Sequence, residues 1–175
     1  TVTAIISACD DKSNLLLAKM ADENELPLIV TESRDTAVTM LTADRPRLYT
    51  FSLNCDNAYN GKMLAYFMTQ GLGRKTAVLV HDPLNPASIE VRNAFIDMSR
   101  IFGISIKADI KQESSAKFNI DSIVRILSDG KDTVVMTNGG GAVFNTASLL
   151  RTAGFKGALL GGEFSSLRCF SASGT

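Results

Sequence analysis

Between Asp132 and Asn145 the chain reads DTVVMTNGGGAVFN: a β-branched run ending in Thr-Asn, three glycines, then an apolar helical pattern. A glycine-rich turn from strand to helix brings backbone N–H groups close to whatever sits there. A phosphate cradle, a dinucleotide fingerprint and the wall of some other cleft are the three chemistries open to it. A P-loop needs Lys followed by Ser or Thr, which is missing, and G-x-G-x-x-G fails because Phe144 stands at the third glycine. That leaves a cleft wall, with Asn138 as its polar side chain after Thr137. Gly139 to Gly141 leave room for a bulky ligand or for close approach of backbone.

Other residues with chemical potential are scattered. Arg34, in TESRD, could grip a carboxylate or phosphate bidentately. On an open surface it would instead pair with Asp35 or Glu32 to little effect. Asp10 and Asp11 repel a carboxylate, so Asp11 or Ser13 reads as a helix cap, with binding by Asp11 as the competing role. His81, the single histidine, reads as a structural hydrogen-bonder at a strand end. Cys9, Cys55 and Cys169 are too few for a disulfide scaffold and lack metal spacing. They read as buried free thiols, with one disulfide still conceivable. No nucleophile–base pair and no metal cluster emerges, so neither an enzyme nor a cofactor is expected.

Short strands alternating with amphipathic helices must position these residues. Strands are expected at TAIIS (3–7), LPLIVT (26–31), RLYTFSL (47–53), KTAVLVH (75–81), ISIKADI (104–110), DTVVMT (132–137) and GALLGGE (157–163). Helical spacing links Leu17, Met20, Ala21 and Asn24, and then Leu64, Phe67 and Met68 within Tyr59–Gln70. It also links Val91, Phe95, Met98 and Phe102, then Ile120, Ile123, Val124 and Leu127, then Val143, Ala147 and Leu150. Residues 32–46 read as an irregular polar stretch. Gly71, Gly73, Gly103, Gly130 and Gly154 fall where helices should stop. Strand–helix–strand units of this length imply an α/β fold, with Rossmann-like parallel sheets flanked by helices. Ligands of such sheets bind beyond the carboxyl ends of the strands. Those ends are SACDD, VTESRD, VHDPLN (with Asn85), MTNGGG and GGEFSS.

Bulk composition narrows the function classes. Of 175 residues, 45% are hydrophobic and 21% charged, as in an ordinary globular chain. Lys plus Arg equals Asp plus Glu at 18 each, so no nucleic-acid or anionic-membrane partner is expected. No apolar run approaches the ~20 residues of a membrane helix. The chain opens on TVTAIIS, already a strand and without Met, and reads as an excerpt in which a removed export signal stays open.

The order of blocks resembles the type I periplasmic binding-protein superfamily, in particular its branched-chain amino-acid-binding branch. The blocks are IISACDDKS, ELPLIVTESRD, MLTAD, the crossover LYTFSLNCDNAYNG, GLGRKTAVLVHD, AFIDMSRIFGISI, KFNID and GFKGALLGGE, covering the chain to Phe164. The resemblance implies a two-lobed type I fold in part: residues 1–50 as the second half of lobe one, 51–59 as a hinge crossover, and 60–175 as an incomplete lobe two. It implies a solute-binding protein that captures an amino acid or related organic anion between hinged lobes, for ABC transport or sensing. A membrane permease is then the expected partner, and the location periplasmic or extracytoplasmic.

The resemblance also assigns roles. Glu163, ending GALLGGE, would receive a ligand ammonium. Asp11 stands near the place of a carboxylate-binding hydroxyl, and Ser33 in a loop that relatives keep small and hydroxyl-rich. Pro86-Ala87 replaces an aromatic-glycine pair, so a stacking ring is missing, and Pro86 and Ser88 suit the start of a helix. Three other readings compete. One is the effector-binding core of a transcription regulator, or a receptor ligand-binding domain, of the same fold. A two-component receiver would need an Asp where Thr137-Asn138 stands. An unrecognised α/β enzyme is the last. A helix-turn-helix at the full-length N-terminus would favour the regulator, and an export signal the transport protein.

Overall fold

A computed structural model describes residues 2–113, 120–127, 130–138 and 140–161. The chain divides into two compact units, Thr1–Asn57 and Ala58–Thr175.

The first unit holds a parallel sheet of β1 (Ile5–Ser7), β2 (Leu28–Val30) and β5 (Thr50–Ser52), in the order β1-β2-β5. Helix α1 (Asp11–Glu23) and the short α2 (Thr36–Thr39) cover one face. Ala18 and Ala21 of α1 let the helix approach closely over Leu28, Val30 and Val38, all fully buried. Asn14 is buried with them, whereas Met20 is 55% exposed. The buried stripe is therefore Asn14, Ala18 and Ala21 rather than one that includes Met20. Small residues, not the largest apolar ones, mark where helix meets sheet.

Residues 32–46 are more ordered than their polarity suggests. Asp35 caps α2 by accepting from the Ala37 N–H at 2.9 Å. A hairpin of β3 (Met40–Thr42) and β4 (Arg45–Pro46) follows. Its two-residue turn is braced by Thr42 Oγ1 donating to Asp44 at 2.9 Å. These elements are too short for hydrophobic periodicity to mark them.

The other face of the first sheet carries Ile6, Ile29 and Phe51 in one register row. Ile6 is 74% exposed and Phe51 55%. Three strands with one apolar face uncovered bury too little for independent stability. Residues 1–57 expressed alone should show no cooperative thermal transition by circular dichroism. A sharp, reversible transition would mean that the unit is a self-sufficient domain.

The second unit begins with α3 (Asn57–Tyr66), which runs into a π-helical turn, Phe67–Gly71. The buried stripe is Asn57, Gly61, Ala65 and Met68, so Phe67, which helical spacing had grouped with Met68, lies beside it and is half exposed. A four-stranded parallel sheet follows in the order β7-β6-β8-β9, from β6 (Thr76–His81), β7 (Ser105–Lys111), β8 (Thr133–Met136) and β9 (Ala158–Gly161). Ala77 to Val80 and Val134 to Met136 are all fully buried, as continuous apolar strands in a two-faced sheet should be.

One face packs on α3 and α4 (Pro86–Phe102) through Met68, Leu79, Phe95 and Val135. The other packs on α5 (Ile120–Val124) and α6 (Gly140–Thr152) through Val80, Ile123, Met136, Val143 and Leu150. Helix α4 ends on Gly103, at φ 65°, a left-handed cap that glycine adopts without a Cβ penalty. The expected parallel α/β architecture is what the chain adopts.

Candidate functional site

At the carboxyl end of the first sheet, side chains fold the loops onto one another. Ser7 Oγ donates to Asn14 Oδ1 at 2.6 Å, and Asn14 Nδ2 donates to the Cys9 carbonyl at 2.7 Å. The cap of α1 is Asp10, whose Oδ1 accepts from the Ser13 N–H at 2.8 Å. Neither Asp11 nor Ser13 caps it, correcting the sequence expectation. The same Ser13 hydrogen bond lowers the pKa of Asp10. With Asp10 serving the helix, Asp11 is turned to the neighbouring strand end and accepts from the Ser33 hydroxyl at 2.5 Å.

Ser33 is buried, and its loop is held from the far side as well. Ser52 Oγ donates to the Ser33 carbonyl at 3.2 Å, and Asn54 Nδ2 to that of Thr31 at 2.6 Å. Arg34, half-buried, stands between Ser33 and the α2 cap Asp35. The structure thus brings Asp11 and Ser33 into contact, with Arg34 on the same loop. Cys9 and Cys55 are free and exposed, not buried as their sequence context suggested. Both sit on polar loops just beyond strand ends, outside any core. Cys169 lies outside the described residues.

At the carboxyl end of the second sheet, register sets Val80 beside Met136, so that the residues after β6 and β8 leave side by side. The Thr137 N–H donates to the Val80 carbonyl at 3.0 Å, and the Gln112 N–H to that of His81 at 2.8 Å. Asn85 caps α4, its Oδ1 accepting from the N–H groups of Ala87 and Ser88 at 3.0 and 3.4 Å. Pro86 opens the helix, as expected. The buried Ser88 hydroxyl meets Thr137 Oγ1 at 3.0 Å and accepts from the Asp82 N–H at 2.9 Å. Asn138 is buried, and its Nδ2 donates to the Gln112 carbonyl at 3.3 Å. Gly139 and Glu163 lie outside the described residues.

His81 has partners that sequence spacing did not reveal. Its Nδ1 lies 2.9 Å from Asp109 Oδ1, while Arg92 grips the other carboxylate oxygen. Asp109 and Arg92 are 17 residues apart and meet only because α4 crosses back over β7. Burial pushes the His81 pKa down, aided by Arg92 and Lys111 and opposed by Asp109. Burial pulls Asp109 up, but the Arg92 hydrogen bond and the charges of His81 and Arg92 leave its pKa lowered.

Both shifts make acid destabilising. Below about pH 6.5 the unfolded chain protonates its histidine more readily than the folded one, and Asp109 loses its contribution near and below about pH 4. His81→Asn should flatten the fall in stability between pH 7 and pH 5, measured by urea unfolding. An unchanged slope would remove His81 as its cause.

No hydrogen bond joins His81 to a hydroxyl or thiol among the described residues. Nor do three His, Cys, Asp or Glu side chains gather there as a metal site. No described helix is long and apolar enough to cross a membrane. A cavity of about 430 Å³, lined by Val124, Leu127, Phe155 and Lys156 among others, opens at the amino ends of β8 and β9. That is the opposite edge from the polar strand ends.

No protein-family profile and no curated protein matches the chain. Solved structures do. A leucine-binding protein from Thermotoga maritima matches over 91% of this chain and 44% of its own, at 24% identity and TM-score 0.69. A solute-binding protein from R. palustris, in complex with benzoate, matches over 98% and 46%, at 20% identity and TM-score 0.74. A putative branched-chain amino-acid ABC transporter protein from Rhodospirillum rubrum matches over 99% and 48%, at 12% identity and TM-score 0.79. The chain spans less than half the length of each. It therefore has, over that stretch, the fold of the type I periplasmic binding proteins.

Proposed function

We propose that the chain is part of a non-enzymatic solute-binding protein that takes a small polar ligand, an amino acid or related organic anion, between two hinged lobes. Residues 1–50 belong to lobe one, 51–59 to the crossover, and 60–175 to lobe two. The observation that carries this reading is the placement of polar side chains. Asp11, Ser33 and Arg34 lie at the carboxyl strand ends of one sheet, and Asn138 at those of the other, where ligands of parallel sheets bind. Gly139 and Glu163 belong to the same strand ends by sequence. Asn85 is assigned to its helix, because its oxygen already caps α4.

Delivery to a membrane permease from the periplasm is the setting that the fold likeness supports, since the similar structures include ABC-transporter solute-binding proteins with leucine, benzoate and valine. Isothermal titration of the intact protein with the common amino acids and with simple aliphatic and aromatic carboxylates tests the reading. Saturable one-site binding of at least one is expected. Absence of heat across the whole panel would overturn it.

A further inference from the structure

We propose that Asn138 selects for a hydrogen-bond donor on the bound solute. The protein then prefers amine-, amide- or hydroxyl-bearing molecules over the same skeletons without the donor. This deepens the solute-binding reading and rests on it. Asn138 follows β8 and is 2% exposed. Its Nδ2 donates to the carbonyl of Gln112, just beyond the end of β7. Because the sheet runs β7-β6-β8, the side chain lies across the carboxyl end of β6, which is the edge a ligand approaches.

The Oδ1 of the same amide is buried and accepts no hydrogen bond among the described residues. A flipped amide would set carbonyl against carbonyl, so the Gln112 contact fixes which atom is left over. The nearby hydroxyls belong to another set of bonds: Thr137 is paired with Ser88, and Ser88 accepts from the Asp82 N–H. A buried acceptor without a donor bears its whole desolvation penalty. An incoming N–H or O–H removes that penalty with no water competing, whereas a ligand carbon leaves it in place and a carboxylate oxygen adds repulsion. A site built around such a group rejects the analogue that lacks the donor far more strongly than an apolar pocket rejects a missing methylene.

Titration of the intact protein with two matched pairs tests this: leucine against 4-methylpentanoate, and 4-hydroxybenzoate against benzoate. In whichever pair binds, the donor-bearing member should bind at least tenfold tighter, about 1.4 kcal/mol. Asn138→Leu should abolish the preference by weakening that member alone. Asn138→Ala, which also removes the acceptor, serves if Asn138→Leu fails to fold, and it should abolish the preference in the same way. Binding without preference, or a preference that survives Asn138→Leu, would overturn this inference and leave solute binding standing. No binding by any of the four, with other solutes bound, would overturn it too; no binding by any solute would take the parent reading with it.

Discussion

Gly61→Ala should lower the thermal unfolding midpoint by several degrees, although alanine is the better helix former. A Cβ at this position in α3 would stand 2.2 Å from the Val91 carbonyl oxygen and 2.8 Å from the Ala94 Cβ. Both belong to α4, and the first is backbone, so relief requires the two helices to separate. Helix propensity favours alanine by about 1 kcal/mol. Overpacking against an immobile neighbour costs roughly 1–3 kcal/mol and occasionally more, and a backbone oxygen places this site at the upper end. A net loss of about 2 kcal/mol corresponds to roughly 4–8 °C for a chain of this size. Gly61→Val should be worse. Differential scanning calorimetry of the purified variants decides it, and an unchanged or raised midpoint for Gly61→Ala would show that α3 and α4 do not meet at this distance.

The second large effect is on affinity. Arg34→Ala should weaken ligand binding by about 1.5–3 kcal/mol if its guanidinium donates a charge-assisted hydrogen bond to an anionic group. Arg34→Lys should recover part of that, because lysine keeps the charge and loses the planar fork. Glu163→Ala should cost a similar amount when the ligand carries an ammonium. On the proposed assignment of the two residues to different lobes, their effects should add within about 0.5 kcal/mol. Unchanged affinity for both single variants would remove this pair from the site.

Much of the architecture was legible because it is written in long-range pattern. The unalternating apolar runs of β6 and β8 announce a two-faced parallel sheet, and the i, i+4, i+7, i+11 set from Val91 to Phe102 announces α4. The failures are local. Met20 is as apolar as a core residue and lies outside it, because the contact with the sheet is made by Ala18 and Ala21. Phe67 is as apolar as a core residue and lies beside the stripe that Gly61, Ala65 and Met68 bury. The hairpin at Met40–Pro46 is too short to carry a pattern.

At the candidate site, the strand ends were legible in the sequence but their bonding was not. Which of three polar residues caps α1 depends on backbone geometry, and it fell to Asp10, leaving Asp11 for Ser33. The His81–Asp109–Arg92 cluster joins three elements distant in sequence. Its only forward sign was a carboxylate in the alternating run of β7.

On the proposed reading, a bound solute draws two lobes together. Small-angle X-ray scattering of the intact protein, with and without a solute shown to bind by titration, measures that. The predicted result is a smaller radius of gyration and a shorter maximum dimension at saturation. Superimposable scattering curves for the free and saturated protein would contradict it.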